Sequence, residues 1–469
     1  MSKHSLLEKR VPIENDNPSI VLIEEKCIKC GLCKRVCENY ITVQGHYDLE
    51  ATNDQAICIH CGQCAVACPV DSIVEKKEYD KVKEAIADPE KIVVFSTAPA
   101  VRIALGDAFG IEEGSFVEGK MVALLKKLGA DFVLDVNFGA DLTIMEEASE
   151  LLERITKQTG PLPQFTSCCP SWVEFAETFY PEMIPHISTT KSPIGMQGAT
   201  IKTYFAKKRE LDPSRIVNVT IAPCTAKKYE INREEMNSAG EYHGNEEIRD
   251  NDFVLTTKEL ADWAKEEGID FDALEESAFD SLMGEGSGAG LIFGNTGGVM
   301  EAALRTAYQF ITKEKAPEQF YELEPVRGMD EMKEASVTIG EHTLNVAVIY
   351  GTGNVRKLIE QIKAGEKEYH FIEVMTCPGG CIAGAGQPKH KKVKMKEVTK
   401  KRVDGIYDRD KVMTKRASYE NEEIKALYEE FYGKPLSELS EELLHTSFVD
   451  RSASLGQSID DEDPDLVLV

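Results

Sequence analysis

CIKCGLCKRVC, residues 27–37, and CIHCGQCAVACP, residues 58–69, contain eight of the thirteen cysteines of the chain. Each run has the spacing Cys-x2-Cys-x2-Cys-x3-Cys, and a proline follows the last cysteine of the second run. In bacterial ferredoxins this spacing binds two 4Fe–4S cubes. A zinc ribbon, the alternative, needs only two Cys-x2-Cys pairs and would leave cysteines unused. The spacing therefore predicts a ferredoxin-like domain with two iron–sulfur cubes.

The fourth cysteine of each run is expected to bind the other run's cube, because it leaves the tight loop on a helix. The expected ligands of one cube are Cys27, Cys30, Cys33 and Cys68. The expected ligands of the other cube are Cys58, Cys61, Cys64 and Cys37. We expect this domain to span residues 21–78, after a loose N-terminal tail at residues 1–20.

The composition excludes several classes of protein. The chain has 469 residues, enough for about three domains, and its 42% hydrophobic and 29% charged residues are ordinary for a globular protein. With 54 Lys and Arg against 81 Asp and Glu, the formal charge is −27, so nucleic acids and anionic membrane surfaces would repel it. The longest charge-free stretch, residues 158–173, is shorter than the roughly 18 apolar residues of a membrane span.

The N-terminal residues indicate the compartment. They contain neither an apolar stretch nor a twin arginine, so we expect no secretion signal and a cytoplasmic location. Disulfides are rare in the cytoplasm. Thirteen cysteines in a reducing compartment therefore indicate metal binding.

Five cysteines lie outside the two runs. They are Cys168, Cys169, Cys224, Cys377 and Cys381. A third cube needs four thiolates, and the adjacent pair is expected to supply only one, since neighbouring side chains in extended backbone point in opposite directions. The surrounding stretches 158–173 and 374–388, and the glycine-rich stretch 286–300, carry no charged side chain. This pattern favours a buried cofactor pocket, although buried core strands also lack charge.

Three motifs resemble those of the [FeFe]-hydrogenases, the iron-only hydrogenases. They are FTSCCPSW at residues 165–172, APCTAKKYE at 222–230 and EVMTCPGGCIAGAGQP at 373–388. The resemblance extends over about residues 21–445 and implies an α/β (α+β) fold class, with a two-lobed catalytic domain after the ferredoxin-like domain. The implied parts are a linker at 79–90, the catalytic domain at 91–398, a helical segment similar to the hydrogenase small subunit at 399–446, and an acidic, disordered tail at 447–469.

The resemblance implies an H-cluster, a 4Fe–4S cube joined through a thiolate to a two-iron subsite with CO, cyanide and a bridging dithiolate. The implied cube ligands are Cys169, Cys224, Cys377 and Cys381, the last of which is shared with the two-iron subsite. Cys168 is then a free thiol facing the bridging amine, and Lys227 hydrogen-bonds a cyanide. The implied wall residues are Pro99, Ala100 and Met375. Ala222 replaces the usual Met of the second motif, which is expected to enlarge the pocket.

The segment MEEASELLERI, residues 145–155, predicts an amphipathic helix. Its spacing places Glu147, Glu150 and Arg154 on one face, which by itself is more typical of a solvated surface. The resemblance implies instead a proton relay. The implied order is Cys168, Glu147, Ser188, Glu150 and then Arg154 near solvent.

The function implied by the resemblance is the reversible reduction of protons to dihydrogen. Electrons would pass through the two cubes from or to a soluble ferredoxin, maturation proteins would supply the two-iron subsite, and the protein would be a monomer. Two alternatives share the fold: a non-catalytic iron–sulfur assembly protein and a hydrogen sensor. The Cys168–Cys169 pair and Lys227 argue against an assembly protein. The basic run at residues 389–402 is interpreted as a solvated surface, or alternatively as a docking site for an acidic ferredoxin.

Overall fold

A computed structural model describes residues 9–456 of the chain. Its N-terminal part is built on a two-stranded antiparallel sheet of β1, Ile20–Leu22, and β2, Ile73–Glu75. The helices α1, Leu32–Val36, and α2, Gln63–Ala67, each begin within a cysteine run. A glycine with positive φ precedes each helix, which lets the cysteine loop turn sharply.

The first lobe contains a four-stranded parallel sheet in the order β4-β3-β6-β7. The strands are β3 Ile92–Thr97, β4 Phe132–Asp135, β6 Ile216–Ala222 and β7 Phe253–Thr256. Helices cover both faces of this sheet, and this explains why its strands are almost continuously apolar and buried.

The second lobe contains a mixed sheet in the order β5-β10-β9-β8. The strands are β5 Gln164–Phe165, β8 Met332–Ile339, β9 His342–Tyr350 and β10 Phe371–Met375. β10 runs parallel to β5 and β9, whereas β8 is an antiparallel edge strand. The alternating exposure along β8 agrees with its edge position, because only one of its faces meets the core.

Helices make up most of the remaining regular structure of the described chain, together with short 3-10 and π-helical turns, and loops connect these elements. The remaining helices are α3 Tyr79–Ala87, α4 Glu118–Leu128, α5 Val136–Lys157, α6 Pro170–Phe179, α7 Pro193–Thr200, α8 Ala206–Lys208, α9 Lys227–Glu230, α10 Ser238–His243, α11 Thr257–Glu266, α12 Gly288–Ile292, α13 Gly298–Thr312, α14 Thr352–Lys363, α15 Lys392–Val412, α16 Glu422–Leu427 and α17 Glu438–Leu444. None of the described helices is long and apolar enough to traverse a lipid bilayer.

The central helix is α5, which packs against α7, α12 and α13. The side chain of Asp135 caps its N-terminus by accepting a hydrogen bond from the backbone N–H of Asn137 at 2.9 Å. Side chains on almost every face of α5 are buried, including Glu146, Glu147 and Arg154. The solvated charged face that the spacing alone favours is therefore wrong.

The expected α/β class with two lobes is confirmed. The described ends of the chain, however, are more ordered than expected. The tail expected at residues 1–20 is packed where it is described, since Val11 is buried beside Cys33 and the side chain of Asn17 accepts hydrogen bonds from two backbone N–H groups. Residues 447–456 also contact the catalytic lobes, because Arg451 forms an ion pair with Glu177 at 3.0 Å. Residues 1–8 and 457–469 lie outside the described part. The expected boundary at residue 398 falls inside α15.

Candidate active site

The eight N-terminal cysteines lie around two separate cavities, and none of them is in a disulfide. A cavity of about 340 Å³, the outer cavity, is lined by Cys27, Cys30, Cys33 and Cys68. A cavity of about 460 Å³, the inner cavity, is lined by Cys37, Cys58, Cys61 and Cys64. The structure thus brings together the two sets of four that the spacing predicts, with one cysteine of each set coming from the other run.

The surroundings of these thiols suit iron–sulfur cubes. Backbone N–H groups donate to sulfur in both sets, from Ser72 to Cys68 Sγ at 3.2 Å and from His60 to Cys58 Sγ at 3.4 Å. Such bonds stabilise the negative charge of a cluster's thiolates. Within residues 9–456 no three His, Cys, Asp or Glu side chains converge tightly enough to hold one metal ion. A cube, by contrast, spreads its thiolates over four irons.

The other cysteines meet where strands of the two lobes end. Cys224 follows β6, Cys377 and Cys381 follow β10, and Cys169 directly precedes α6. The carboxyl ends of parallel strands are the usual place for a ligand site in such sheets. Burial, followed by the neighbouring Cys169, raises the pKa of the Cys224 thiol to about 11. Burial likewise raises the pKa of Cys377, with Cys224, Cys169 and Cys381 as further contributors. The four thiols that the resemblance implies are therefore mutual neighbours.

Cys168 lies on the other side of its backbone and faces a different environment. It packs, with Cys381, against the apolar cluster that contains Ala100 and Met375. Pro99, the neighbour of Ala100, is also buried. Burial raises the pKa of the Cys168 thiol well above its usual value, and the Glu147 carboxylate raises it further. The expected wall residues Ala100 and Met375 and the free thiol thus belong to one apolar cluster with Cys381.

Lys227 supplies a buried positive charge at the same place. Its Nζ donates to the backbone oxygen of Cys168 at 3.1 Å and to Glu230 Oε2 at 2.8 Å. Burial lowers the pKa of this ammonium, but the Glu230 carboxylate outweighs burial, and the net shift is upward. Lys227 therefore remains a cation. Four neighbouring thiols that are buried or partly buried, one free thiol and a largely buried cation form a donor set that fits an H-cluster, whose cyanides and thiolates are anionic.

Ala222 ends β6 and is buried. It belongs to an apolar cluster with Val136, Ile194, Ile231 and Val254. The effect of the missing Met side chain on the pocket stays a prediction.

The carboxylates that the resemblance assigns to a proton relay lie on α5 and are buried. Glu147 is buried, and neither of its carboxylate oxygens has a hydrogen-bond partner in the described part of the chain. Burial, and then the charge of Glu150, raise the pKa of Glu147 well above the usual value. The nearby Ser188 side chain and the backbone of Ser167 partly oppose this rise, although neither is close enough to form a hydrogen bond with the carboxylate. Ser188 Oγ donates to Glu150 Oε2 at 2.6 Å. Glu150 is buried as well, and its side chain is 11% exposed.

Arg154 corrects one expectation. It does not lie near solvent, because only 6% of the residue is exposed. Its guanidinium donates to Glu150 Oε1 at 2.6 Å and to the backbone oxygens of Pro161, Pro185 and Ile187. A guanidinium does not release its proton in proteins. Arg154 therefore anchors Glu150 and does not end the relay.

Sequence reasoning missed the contact between the ferredoxin-like domain and the buried cysteines. Gln63 Nε2 donates to Cys377 Sγ at 3.2 Å, and Thr225 Oγ1 donates to the backbone oxygen of His60 at 3.0 Å. A Cβ on Gly62 would lie only 2.5 Å from Ala385 Cβ, so glycine permits this close approach. Gln63 lies between Cys61 and Cys64 of the second run, and this position was the sequence signal that could have indicated the contact. Its partner is 314 residues away, and no local pattern pairs them.

Comparisons with known proteins agree with this geometry. The model of the iron only hydrogenase large subunit, C-terminal domain, matches residues 91–385, that of the iron hydrogenase small subunit matches residues 396–451, and that of the 4Fe-4S binding domain matches residues 51–74. The NADP-reducing hydrogenase subunit HndD of Solidesulfovibrio fructosivorans is 44% identical over 92% of this chain and 75% of that protein. Iron hydrogenase 1 of Clostridium pasteurianum is 42% identical over 94% of this chain and 78% of its own.

Solved structures give the same result. The apo form of the [FeFe]-hydrogenase HydA1 from Chlamydomonas reinhardtii has a TM-score of 0.69 and 40% identity, and the alignment covers 79% of this chain and 98% of that one. The cytosolic iron-sulfur assembly component 3 of Bos taurus is a more distant relative, at 32% identity over 83% of this chain and 82% of its own. The family model, the relatives and the site geometry together show that this chain belongs to the iron-only hydrogenase family and is an oxidoreductase acting on dihydrogen.

Proposed function

We propose that the chain reversibly reduces protons to dihydrogen at an H-cluster held by Cys169, Cys224, Cys377 and Cys381, exchanging electrons with a soluble ferredoxin. The observation that carries the proposal is the free thiol of Cys168 beside four thiols that are mutual neighbours, with the Lys227 cation at its backbone oxygen. When bound, the H-cluster supplies the two-electron chemistry of dihydrogen. An assembly protein without the two-iron subsite has no use for a free thiol and a buried cation in this place.

Electrons would pass through two cubes in series. The outer cavity reaches the surface at Cys30, which is exposed, whereas none of the four cysteines of the inner cavity is exposed. Gln63, from the loop around the inner cavity, hydrogen-bonds Cys377 of the buried site. This contact supports an order in which the outer cube meets the partner protein and the inner cube exchanges electrons with the catalytic cube.

Protons would pass between Cys168 and water through α5. The unpartnered carboxyl group of Glu147 contributes to the electrostatic surroundings of Cys168, and its raised pKa favours a protonated group that is able to donate. Ser188 hydrogen-bonds Glu150, whose side chain is 11% exposed and would be the exit of the relay. Lys227 would hold a cyanide as a hydrogen-bond donor, since Glu230 keeps it cationic.

The outer cavity also supports the choice of partner. Lys9 and Lys29 line it together with Ile28, which is 61% exposed, whereas the third basic lining residue, Arg10, is paired with Glu24 at 3.1 Å. In a chain with a formal charge of −27, this local positive surface would attract an acidic ferredoxin and orient it toward the outer cube. Lys389, from the basic run, donates to the backbone oxygen of Cys68 and pairs with Asp71, so part of that run is already engaged within the chain.

The remaining assignments are proposals as well. We infer a monomer working in the cytoplasm, with separate maturation proteins supplying the two-iron subsite. We also keep the domain organisation expected from the sequence, in which the helical segment 399–446 takes the place of a separate small subunit. The match of the small-subunit model within this same chain supports the last point. A related solved structure is described as revealing stepwise H-cluster assembly, which supports the maturation step.

The decisive test is infrared spectroscopy of the full chain reconstituted with iron, sulfide and a synthetic two-iron complex, together with a dihydrogen evolution assay. We expect CO and cyanide bands, gas evolution and iron for three cubes plus the two-iron subsite. Iron for three cubes with neither bands nor gas would contradict the proposal and would indicate an electron-transfer or assembly protein. Ferredoxin as partner is tested separately by comparing its turnover with that of a small-molecule donor.

A further inference from the structure

We infer that His445, in the C-terminal segment, is a positioning residue that holds the turn carrying Ser188 in register with Glu150. This inference rests on the proposed proton relay and adds to it a residue from outside the catalytic lobes. It assigns the C-terminal segment a role at the exit of the relay, which the proposal places at Glu150.

The turn at residues 188–191 contains the groups that Glu150 depends on. Ser188 Oγ donates to Glu150 at 2.6 Å and shares a hydrogen bond with Thr190 Oγ1 at 2.9 Å. The backbone N–H of Thr189 also points at Glu150, at 3.2 and 3.3 Å from its two oxygens. A small displacement of this turn would therefore break two contacts of Glu150 at once, since hydrogen bonds weaken steeply with distance and angle.

The C-terminal segment pairs directly with this turn. Thr190 and His445 form an antiparallel bridge. The backbone N–H of Lys191 donates to Leu444 at 2.8 Å, and that of Thr446 donates to Thr189 at 2.8 Å. The turn is thus held from outside by chain that lies more than 250 residues further along the sequence.

The imidazole of His445 adds a second connection, to α5 itself. Its Nδ1 lies 2.8 Å from Thr189 Oγ1, and its Nε2 lies 3.2 Å from Glu146 Oε2. Glu146 is fully buried and immediately precedes Glu147. It also accepts hydrogen bonds from Tyr428 Oη at 2.6 Å and from the backbone of Leu436 at 2.8 Å, which fix its position. The ring therefore links the turn to the helix that carries both relay carboxylates.

The link survives a change in protonation of the ring. Nε2 donates to the Glu146 carboxylate in either state, and the Thr189 hydroxyl is able to donate to a neutral Nδ1 or accept from a protonated one. His445 therefore acts as a fixed support for the turn.

The test compares variants that break the link on different sides. His445→Ala removes both contacts, Thr189→Val removes only the contact to the turn, and His445→Gln keeps a donor and an acceptor on one side chain. Tyr428→Phe is the matched control, because it weakens the anchoring of the same segment at Glu146 without touching the turn. All four are made in the full chain.

The first readout needs no two-iron subsite. Hydrogen–deuterium exchange of the backbone amides at residues 189–191, measured on protein that carries only its cubes, reports whether the turn is held. We expect His445→Ala and Thr189→Val to exchange about tenfold faster, as the loss of one hydrogen bond implies, while His445→Gln and Tyr428→Phe stay near the parent. Unchanged exchange in His445→Ala would overturn the inference.

The second readout is turnover of the loaded enzyme. We expect His445→Ala to lower the maximal rate in both directions about tenfold and to raise the solvent isotope effect, with an unchanged KM for the electron donor. An equal loss in Tyr428→Phe would show a merely structural role and would also overturn the inference. A parent protein without CO and cyanide bands would instead contradict the proposed function, and the exchange measurement would still decide the role of His445 in holding the turn.

Discussion

The side-chain amide of Gln63 joins two redox sites, since it donates from the inner-cavity loop to Cys377 Sγ. A hydrogen bond to a ligand sulfur favours the reduced, more negative cluster. We expect Gln63→Leu to lower the reduction potential of the buried cube. A bond worth about 1 kcal/mol corresponds to roughly 40 mV for one electron. An electron paramagnetic resonance titration of protein carrying only its cubes measures this shift. Gln55→Leu, at an exposed position of the same domain, is the control, and equal potentials in parent and Gln63→Leu would contradict the prediction.

The Cys168 thiol is expected to be unnecessary for binding the clusters but necessary for proton transfer. It is partly buried beside Cys381 but is not one of the four thiols assigned to the cube. We expect Cys168→Ala and Cys168→Ser to keep the iron content of the parent and to lose at least about 100-fold in turnover, because the proton-transfer group is absent. Iron analysis and a dihydrogen assay check this. Near-parent turnover in either variant would show that protons reach the site by another route.

The raised pKa of Glu147 predicts how the stability of the folded protein depends on pH. Its pKa is raised by burial and by Glu150, so the folded protein holds a proton that the unfolded chain releases above its ordinary Glu pKa of about 4.3. The folded state is therefore penalised as the pH rises from that value toward the raised pKa. We expect Glu147→Gln to gain stability relative to the parent over this window and not below it, while turnover falls at least about 100-fold. Denaturation midpoints at several pH values test the sign, and a pH-independent difference would contradict it.

At the scale of the element, α5 shows which features of a helix its local sequence pattern predicts. The period of residues 145–155 correctly predicts a helix, and the structure extends it to Val136–Lys157. The pattern alone favours a solvated charged face, because Arg154, four residues after Glu150, is the one partner that it offers Glu147 and Glu150. Their partners come from distant segments, such as Ser188 for Glu150 and Tyr428 for Glu146. The resemblance implied the relay residues, yet it placed Arg154 near solvent, since the carbonyls that bury it belong to loops without a motif.

Arg154 on α5 gives a prediction about stability. It is buried and donates to one carboxylate and three backbone oxygens. Removing one partner of a buried ion pair typically costs about 3–5 kcal/mol. We expect Arg154→Gln to lower the free energy of unfolding by an amount in that range, which denaturation curves measure. Lys157→Gln is the matched control on the same helix, because its pair with Glu153 is largely exposed and contributes little. Equal midpoints for the two variants would contradict the anchoring role.

At the scale of the whole molecule, the cysteine spacing predicts more than any other feature. It assigns eight thiols to two sets, and the structure groups the same eight around two cavities. The apolar runs predict the α/β lobes, because parallel sheets covered on both faces need such strands. Contacts between distant parts were beyond prediction. Gly62 against Ala385 and the bridge between Thr190 and His445 depend on the three-dimensional arrangement of segments that have no shared pattern.

The last prediction concerns the surface that meets the electron partner. Two basic regions are available: Lys9 and Lys29 at the outer cavity, and Lys394 and Lys396 in the basic run, both of which are exposed. We place the partner at the outer cavity, because electron transfer requires closeness to the outer cube. Reversing the charge at Lys9 and Lys29 should therefore raise the KM for an acidic ferredoxin about tenfold at low salt, with little effect on a small-molecule donor.

The increase in KM caused by charge reversal at Lys9 and Lys29 should become smaller as salt is added, because screening removes long-range attraction between exposed charges. Lys394→Glu with Lys396→Glu changes the net charge by the same amount, as does Lys127→Glu with Lys126→Glu on α4 in the first lobe. A purely global charge effect would raise the KM equally in all three double variants. A larger effect at residues 394 and 396 would instead move the docking surface to the basic run. Only an increase in KM that is confined to the double variant at residues 9 and 29 agrees with entry of electrons through the outer cube.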